Sequence, residues 1–455
     1  MSDVHTYIDT QRERFRNELF ELLRIPSVSA KSEHRQDVRR TAEWITEHIR
    51  SLGLDASVED TAGHPIVIGE WRGAGKGAQT LLIYGHYDVQ PAEPLELWSS
   101  PPFEPTLRDG RIYARGSVDD KGQLWVHLKA IEAHLRTRGA LPLNIVLVIE
   151  GEEEVGSEHL MPFVTRQRER LACDGIVISD TTMVAPGVPT IGASLRGLAY
   201  FEMHVHGPAQ DLHSGSYGGA VLNPATALAR IIASCHDGDW RVTVPGFYDR
   251  VAEAPEFREE IARVPFDEAS FIAETGAAKP VGERGFSTPE RLWVRPTLEV
   301  NGLLSGYTGE GSKTVLPASA MAKISCRLVP DQDPAEIFRL FDAHVRRVAP
   351  DGARVELRDL HRGRPWKARF EGRLYEAAQR ALEQAFGRSV VFAGEGGSIP
   401  IVPEFEQVLN APVLLMGFGL PGENAHAPDE WISVENLEKG THAAAALLDA
   451  YGGDA

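Results

Sequence analysis

The chain has 455 residues, 42% hydrophobic and 25% charged, the proportions of a soluble globular protein long enough for two cores. Its formal net charge of −18 at pH 7 disfavours nucleic acid and anionic membranes as partners, since neither polyanion gains from meeting another. The three cysteines (Cys173, Cys235, Cys326) are far apart and include no C-x-x-C pair, there is no basic-then-apolar leader, and no run is long enough to span a bilayer; a cytoplasmic protein with reduced thiols is the expectation.

Phe15, Leu19, Leu22 and Leu23 lie at helical spacing up to the stop at Ile25-Pro26, and Val38, Ala42, Ile45, Ile49 and Leu52 mark a second helix ended by Gly53. Strands are expected at 65–69 and 80–84. The Gly-rich link 73–77 is too irregular for a phosphate loop and reads as a surface turn. The run from Leu81 to Tyr84 delivers Gly85-His86-Tyr87-Asp88 to the loop beyond its C-terminal end, which is where open α/β sheets bind ligands. Three further apolar runs end in acids. Residues 112–114 lead to Arg115-Gly116-Ser117-Val118-Asp119-Asp120-Lys121-Gly122, residues 143–149 to Glu150-Gly151-Glu152-Glu153-Glu154, and residues 175–179 to Asp180. Leu124, Leu128, Ile131 and Leu135 mark a helix after Asp119, and residues 158–170 another before Asp180. The β-α-β order predicts a largely parallel sheet flanked by helices.

After Asp180 the pattern changes. Phe201, Met203 and Val205 alternate with polar residues, a helix is expected at 224–234, and a second alternating strand at 320–329 precedes a helix through Ile337, Phe341 and Val345. These elements describe a smaller α+β unit. Residues 239–296, rich in Pro and Gly, predict a helix at 255–263 and otherwise loop. The apolar run 413–416 is followed by His426, which returns the chain to the first site, so residues 195–367 read as an insertion into a discontinuous domain of 1–194 and 368–455.

His86, Asp119, Glu154, Asp180 and His426 are too many ligands for one tetrahedral zinc but suit two metals sharing a carboxylate. Any one of these acids alone would read as a solvated loop residue or helix cap; their coincidence at successive strand ends argues for a site.

The segments Gly85-His86-Tyr87-Asp88-Val89-Gln90-Pro91, Arg115 to Gly122, Glu150 to Ser157 and Asp211-Leu212-His213-Ser214-Gly215 resemble the di-zinc peptidases, the family of cytosolic non-specific dipeptidase, carnosine dipeptidase, aminoacylase and glutamate carboxypeptidase, with the dipeptidase branch the nearest likeness. The resemblance covers essentially the whole chain. It implies an inserted lid and dimerisation domain, a homodimer, and two divalent metals per subunit, zinc or alternatively manganese. Asp119 would bridge, His86 and Asp180 would hold one metal, and Glu154 and His426 the other. A metal-bridging hydroxide would attack a peptide bond, with Glu153 as general base and Asp88 orienting His86. On the residues alone the run Glu152-Glu153-Glu154 leaves the register open by one; Gly156-Ser157 aligns it on Glu153. The resemblance further assigns His213, Thr314, Arg327 and Ser398 to substrate, with Arg327 clamping a free carboxylate and His213 reaching the other subunit's site, and it implies a cis Asp119-Asp120 bond.

The substrate is then a dipeptide or very short peptide. An N-acyl-amino-acid amidohydrolase offers the same catalytic residues, and a catalytically silent peptide-binding relative would have no chemical need for Glu153. His204 and His206 share a strand face without a third ligand and read as sheet surface, and Trp98, Trp366 and Trp431 as packing or rim residues.

Overall fold

A computed structural model describes residues 3–252, 255–397 and 399–453. Strand Thr80–His86, buried along its whole length, lies parallel between Asn144–Glu150 and Gly175–Ile178, and Val413–Leu415 extends the parallel run beyond Gly175–Ile178. Near-continuous apolar sequence is what strands covered on both faces require. Antiparallel strands lie further out: Ile66–Trp71 and Asp55–Glu59 beyond Asn144–Glu150, Thr190–Leu195 and Trp366–Lys367 beyond Val413–Leu415. With Val391–Glu395 lying parallel to Thr190–Leu195, the nine-stranded sheet is mixed, with a parallel centre and outer strands of both senses.

Helices Asp3–Leu23, Arg35–Ser51, Lys121–Arg138, Arg373–Phe386 and Val434–Gly452 cover one face. Gly85 points there, where an added Cβ would lie 2.9 Å from Asp120 and 3.1 Å from Leu124, so the central strand can approach helix Lys121–Arg138 only without a side chain. Tyr84 points to the other face and meets Phe405 of helix Ile401–Leu409 edge-on.

A second core lies under a four-stranded antiparallel sheet in the order Thr297–Ser305, Ser319–Leu328, Gly197–His206, Arg354–Gly363. Ala199, Phe201, Met203 and Val205 are buried while the intervening residues are half-exposed, the expected alternation, and Phe201 stacks on Phe341 of helix Pro334–Val348 with ring centroids 5.1 Å apart. The chain passes between the two sheets at two adjacent places: Leu195 pairs with Trp366 in the large sheet, and Leu198 with Gly363 in the small one. Gly197, in this narrow crossing, has Gly363 O and Pro365 2.7 Å from where a Cβ would stand.

Several expectations need correction. Residues 112–114 belong to a separate three-stranded sheet with Thr106–Arg108 and Trp431–Ser433, so Asp119 stands on a loop and not at the end of a central strand. The helix before Asp180 is only Leu160–Arg166. The stretch 239–296 holds three helices, Pro255–Arg263, Glu268–Thr275 and Thr288–Trp293, the last two started by side-chain caps from Asp267 and Ser287. Replacing Phe201 by Ala should cost about 3–5 kcal/mol, read as a lower urea midpoint; a loss below about 1 kcal/mol would show that Phe201 does not organise the second core.

Candidate metal centre

His86 ends its strand fully buried, with Nε2 3.0 Å from Asp119 Oδ1 and 3.7 Å from Asp180 Oδ2. The other oxygen of Asp119 faces the second imidazole: His426 Nε2 lies 2.8 Å from Asp119 Oδ2 and 3.2 Å from Glu154 Oε2. Two groups of potential ligands, His86-Asp119-Asp180 and Asp119-Glu154-His426, thus share one carboxylate, and the ligand atoms in each lie within 4.8 Å of one another. One imidazole and two carboxylates per group, with one oxygen of the shared acid turned to each, is the donor set two divalent cations require. The residues fit the implied metals.

The electrostatics point the same way. Burial opposes ionisation of Asp119, but hydrogen bonds from His426 and His86 outweigh it and hold its carboxyl below the usual range. Hydrogen bonds to Asp119 and Glu154 raise His426 to about 10, whereas burial and then the Asp119 charge raise Asp180 to about 7. Glu153 lies on the turn Glu153–Val155 beside the liganding Glu154, and burial pushes its carboxyl well up, with the charges of Asp180, Glu154 and Asp119 acting in the same sense. Crowded acids of this kind hold a proton more tightly, and cations placed among them stabilise the ionised form.

Asp88 joins the two loops. His86 Nδ1 lies 3.1 Å from the Asp88 carbonyl and 3.4 Å from its carboxylate, which leaves Nε2 facing Asp119. The Asp88 carboxylate mainly accepts from the backbone N–H groups of Glu153 (3.2 Å) and Glu154 (3.1 Å). One residue therefore orients a ligand imidazole with its backbone and fixes the following acidic turn with its side chain.

Three positioning residues escaped the sequence. Gln90 Nε2 donates to Glu154 Oε2 at 2.7 Å; it sits inside the His86 motif, which was its available signal. The fully buried Glu430 accepts from Arg115 at 2.6 Å and from the N–H groups of Gly116, Val118 and Asp119 at 3.0, 2.9 and 3.2 Å, so its carboxylate shapes the loop that presents Asp119. Glu423 accepts from the N–H groups of Leu420 and Ser433, bracing the loop on which His426 stands at φ 62°. The Asp119-Asp120 peptide bond is cis.

The substrate candidates stand apart from the two ligand groups. His213 and Thr314 are exposed neighbours: strand Leu212–His213 pairs with Val315–Leu316, and the Ser214 N–H donates to Thr314 O at 3.0 Å. His213 Nδ1 accepts from the Gly215 N–H, a contact within its own loop. Arg327, half-buried on Ser319–Leu328, lies near Arg196; burial and then the Arg327 charge lower Arg196 to about 10. Arg196 donates to Gly396 O at 3.0 Å, which ties this basic corner to the 396–397 loop; Ser398 itself lies outside the described residues.

A family model, Peptidase family M20/M25/M40, matches residues 82–450. Cys-Gly metallodipeptidase dug1 of Schizosaccharomyces pombe is 32% identical over 97% of this chain and 96% of its own length. The crystal structure of human carnosine dipeptidase 1 superposes with a TM-score of 0.85 at 28% identity, covering 99% of this chain and 98% of that one. An M20 family metallo-carboxypeptidase from Sulfolobus solfataricus, Sso-CP2, gives 0.84 at 33% identity, with 96% and 99% covered.

Replacing Glu430 by Gln sets an NH2 donor either against the Val118 and Asp119 N–H groups or against Arg115 and the Gly116 N–H, and leaves Arg115 without its anion. Metal affinity, titrated with zinc into the stripped protein, should fall about 10–100-fold; an unchanged affinity would mean the Asp119 loop holds its shape without it. Ligand groups that share Asp119, a glutamate beside them and a family match over most of its length together place this chain in peptidase family M20/M25/M40.

Proposed function

We propose that the protein is a metal-dependent dipeptidase that hydrolyses the peptide bond of dipeptides and very short peptides. The observation that carries this is Asp119, turned with one oxygen to each imidazole-carboxylate group, next to Glu153, a half-buried carboxyl outside both groups. The named relatives support the substrate class: a Cys-Gly dipeptidase at 32% identity and, at 30%, a human Beta-Ala-His dipeptidase. With dipeptidases as its near relatives, the amidohydrolase reading is not favoured.

We take His86 and Asp180 as ligands of one metal, Glu154 and His426 of the other, and Asp119 as the bridge, with zinc the resident metal on the mixed imidazole and carboxylate donors and manganese the alternative. Bound there, the cations supply Lewis acidity to a water and to the scissile carbonyl. Glu153, beside Glu154 and outside both ligand groups, accepts a proton from the attacking water and returns it to the departing amine. Asp88 keeps both sides in register through His86 and the backbone of the Glu153 turn. Arg327 holds the substrate's terminal carboxylate, and Thr314 and Ser398 are assigned to further substrate contacts.

Residues 195–367 are taken as the inserted unit, and it supplies the dimer interface. Strand Thr297–Ser305 is an edge of the small sheet, and Leu303 and Leu304 on it are 62% and 58% exposed, an apolar edge that a second copy would cover. Dimerisation is also what would give the exposed His213 an active site to reach, in the partner. The cytoplasmic placement rests on the three free cysteines.

The metal-loaded protein should hydrolyse free dipeptides and leave N-acetylated amino acids intact, and Glu153→Gln should lower kcat about 10²–10⁴-fold with metal content unchanged. An active variant would move the base elsewhere, and cleavage of the acylated set alone would make the protein a deacylase. Mixing inactive His213→Ala and Glu153→Gln chains should restore part of the activity, because one of the two sites in a heterodimer then has both residues; no recovery in verified heterodimers rejects the cross-subunit role.

A further inference from the structure

A cavity of about 210 Å³ begins one residue beyond Asp180, lined by Thr181, Met183, Phe266, Phe271, Trp293 and Glu395 among others. Its floor is the chain that leaves Asp180. Its outer wall comes from the helices Glu268–Thr275 and Thr288–Trp293 and the turn before them, a stretch the catalytic chemistry leaves without a task. The opposite wall is Glu395, which begins the loop 396–397 tied to Arg196. The cavity is smaller than the roughly 300–1,000 Å³ of sites for drug-sized ligands and suits a single residue.

Its chemistry is asymmetric. Met183, Phe266, Phe271, Leu292 and Trp293 make it apolar, and two glutamates line it, the exposed Glu274 and the half-buried Glu395. Glu395 Oε1 accepts from the N–H groups of Gly396 and Gly397 at 2.9 and 3.5 Å, which fixes the carboxylate in place. Among the described residues its Oε2 accepts only from the Thr182 hydroxyl, at 3.4 Å. Burial pushes this carboxyl up, Arg196 offsets part of that shift, and a further cation would complete the stabilisation of the ionised form. An apolar box with an anion at its edge and a metal ligand at the head of its floor complements a residue carrying a hydrocarbon side chain and an ammonium group.

We propose that this cavity receives the N-terminal residue of the substrate, with its side chain against Phe266, Phe271 and Trp293 and its free α-ammonium on Glu395. The inference rests on the dipeptidase reading and adds what separates a dipeptide from an N-acyl amino acid, since only the former carries that ammonium. With Arg327 assigned to the other end of the substrate, each charged terminus meets a side chain of opposite charge, and the span between the two selects a short substrate.

Two phosphinic pseudo-dipeptides test it, a leucyl-glycine analogue and the same molecule without the α-amino group, assayed as competitive inhibitors so that turnover of neither is needed. The wild-type protein should prefer the amine-bearing inhibitor about tenfold or more, and Glu395→Gln should bring the two inhibition constants within about threefold of each other. Because a ratio is read, a general loosening of the 396–397 loop cancels. Phe271→Ala should lower the ratio of kcat/KM for Leu-Gly over Gly-Gly about fivefold or more. An amine preference untouched by Glu395→Gln, or a side-chain preference untouched by Phe271→Ala, overturns the assignment while the dipeptidase reading stands. A wild-type protein that cleaves no dipeptide would instead remove the reading beneath it.

Discussion

Everything at the centre of this protein follows from one carboxylate facing two imidazoles. Asp119 has one oxygen 3.0 Å from His86 and the other 2.8 Å from His426, and Asp180, Glu154 and Glu153 crowd around it. Such a set of buried acids would repel itself apart in a protein built only to fold. The fold tolerates it because each acid is presented by a rigid carrier: the ends of central strands for His86, Glu154 and Asp180, and backbone N–H groups gathered by Glu430 for Asp119.

Most of the ligand chemistry was legible in the sequence because it lies in short motifs. An apolar run followed by an acid or a His says both that a strand ends and what it offers there, and His86, Glu154 and Asp180 are of this kind. Asp119 was found for a partly mistaken reason: the run before it is a strand, but of the small sheet with Thr106–Arg108 and Trp431–Ser433, and periodicity cannot say which sheet a three-residue strand joins. The family of the chain was readable from the same motifs, whereas the edge strands, whose sequences alternate weakly, were not.

What stayed hidden were residues whose partners are backbone. Glu423 holds its loop through N–H groups alone, and Glu430, apart from Arg115 far away in the sequence, does the same, so in isolation each reads as one more acid in an acidic protein. The stretch 239–296 was obscured by its Pro and Gly content. Its helices are short and begin at side-chain caps rather than on long amphipathic stripes, so the 3.6-residue signal had too few turns in which to appear.

The two crossings between the sheets have a mechanical consequence. Because Leu195 pairs with Trp366 just where Leu198 pairs with Gly363, both covalent links between the cores run side by side, with Gly197 admitted into the gap by its lack of a side chain. A body attached along one short line resists sliding and stretching but turns readily about that line. Such a junction would let the small sheet, with Arg327 on it, turn against the large one, and the packing of helix Thr288–Trp293 on Val391–Glu395 is the contact such a turn would have to shift.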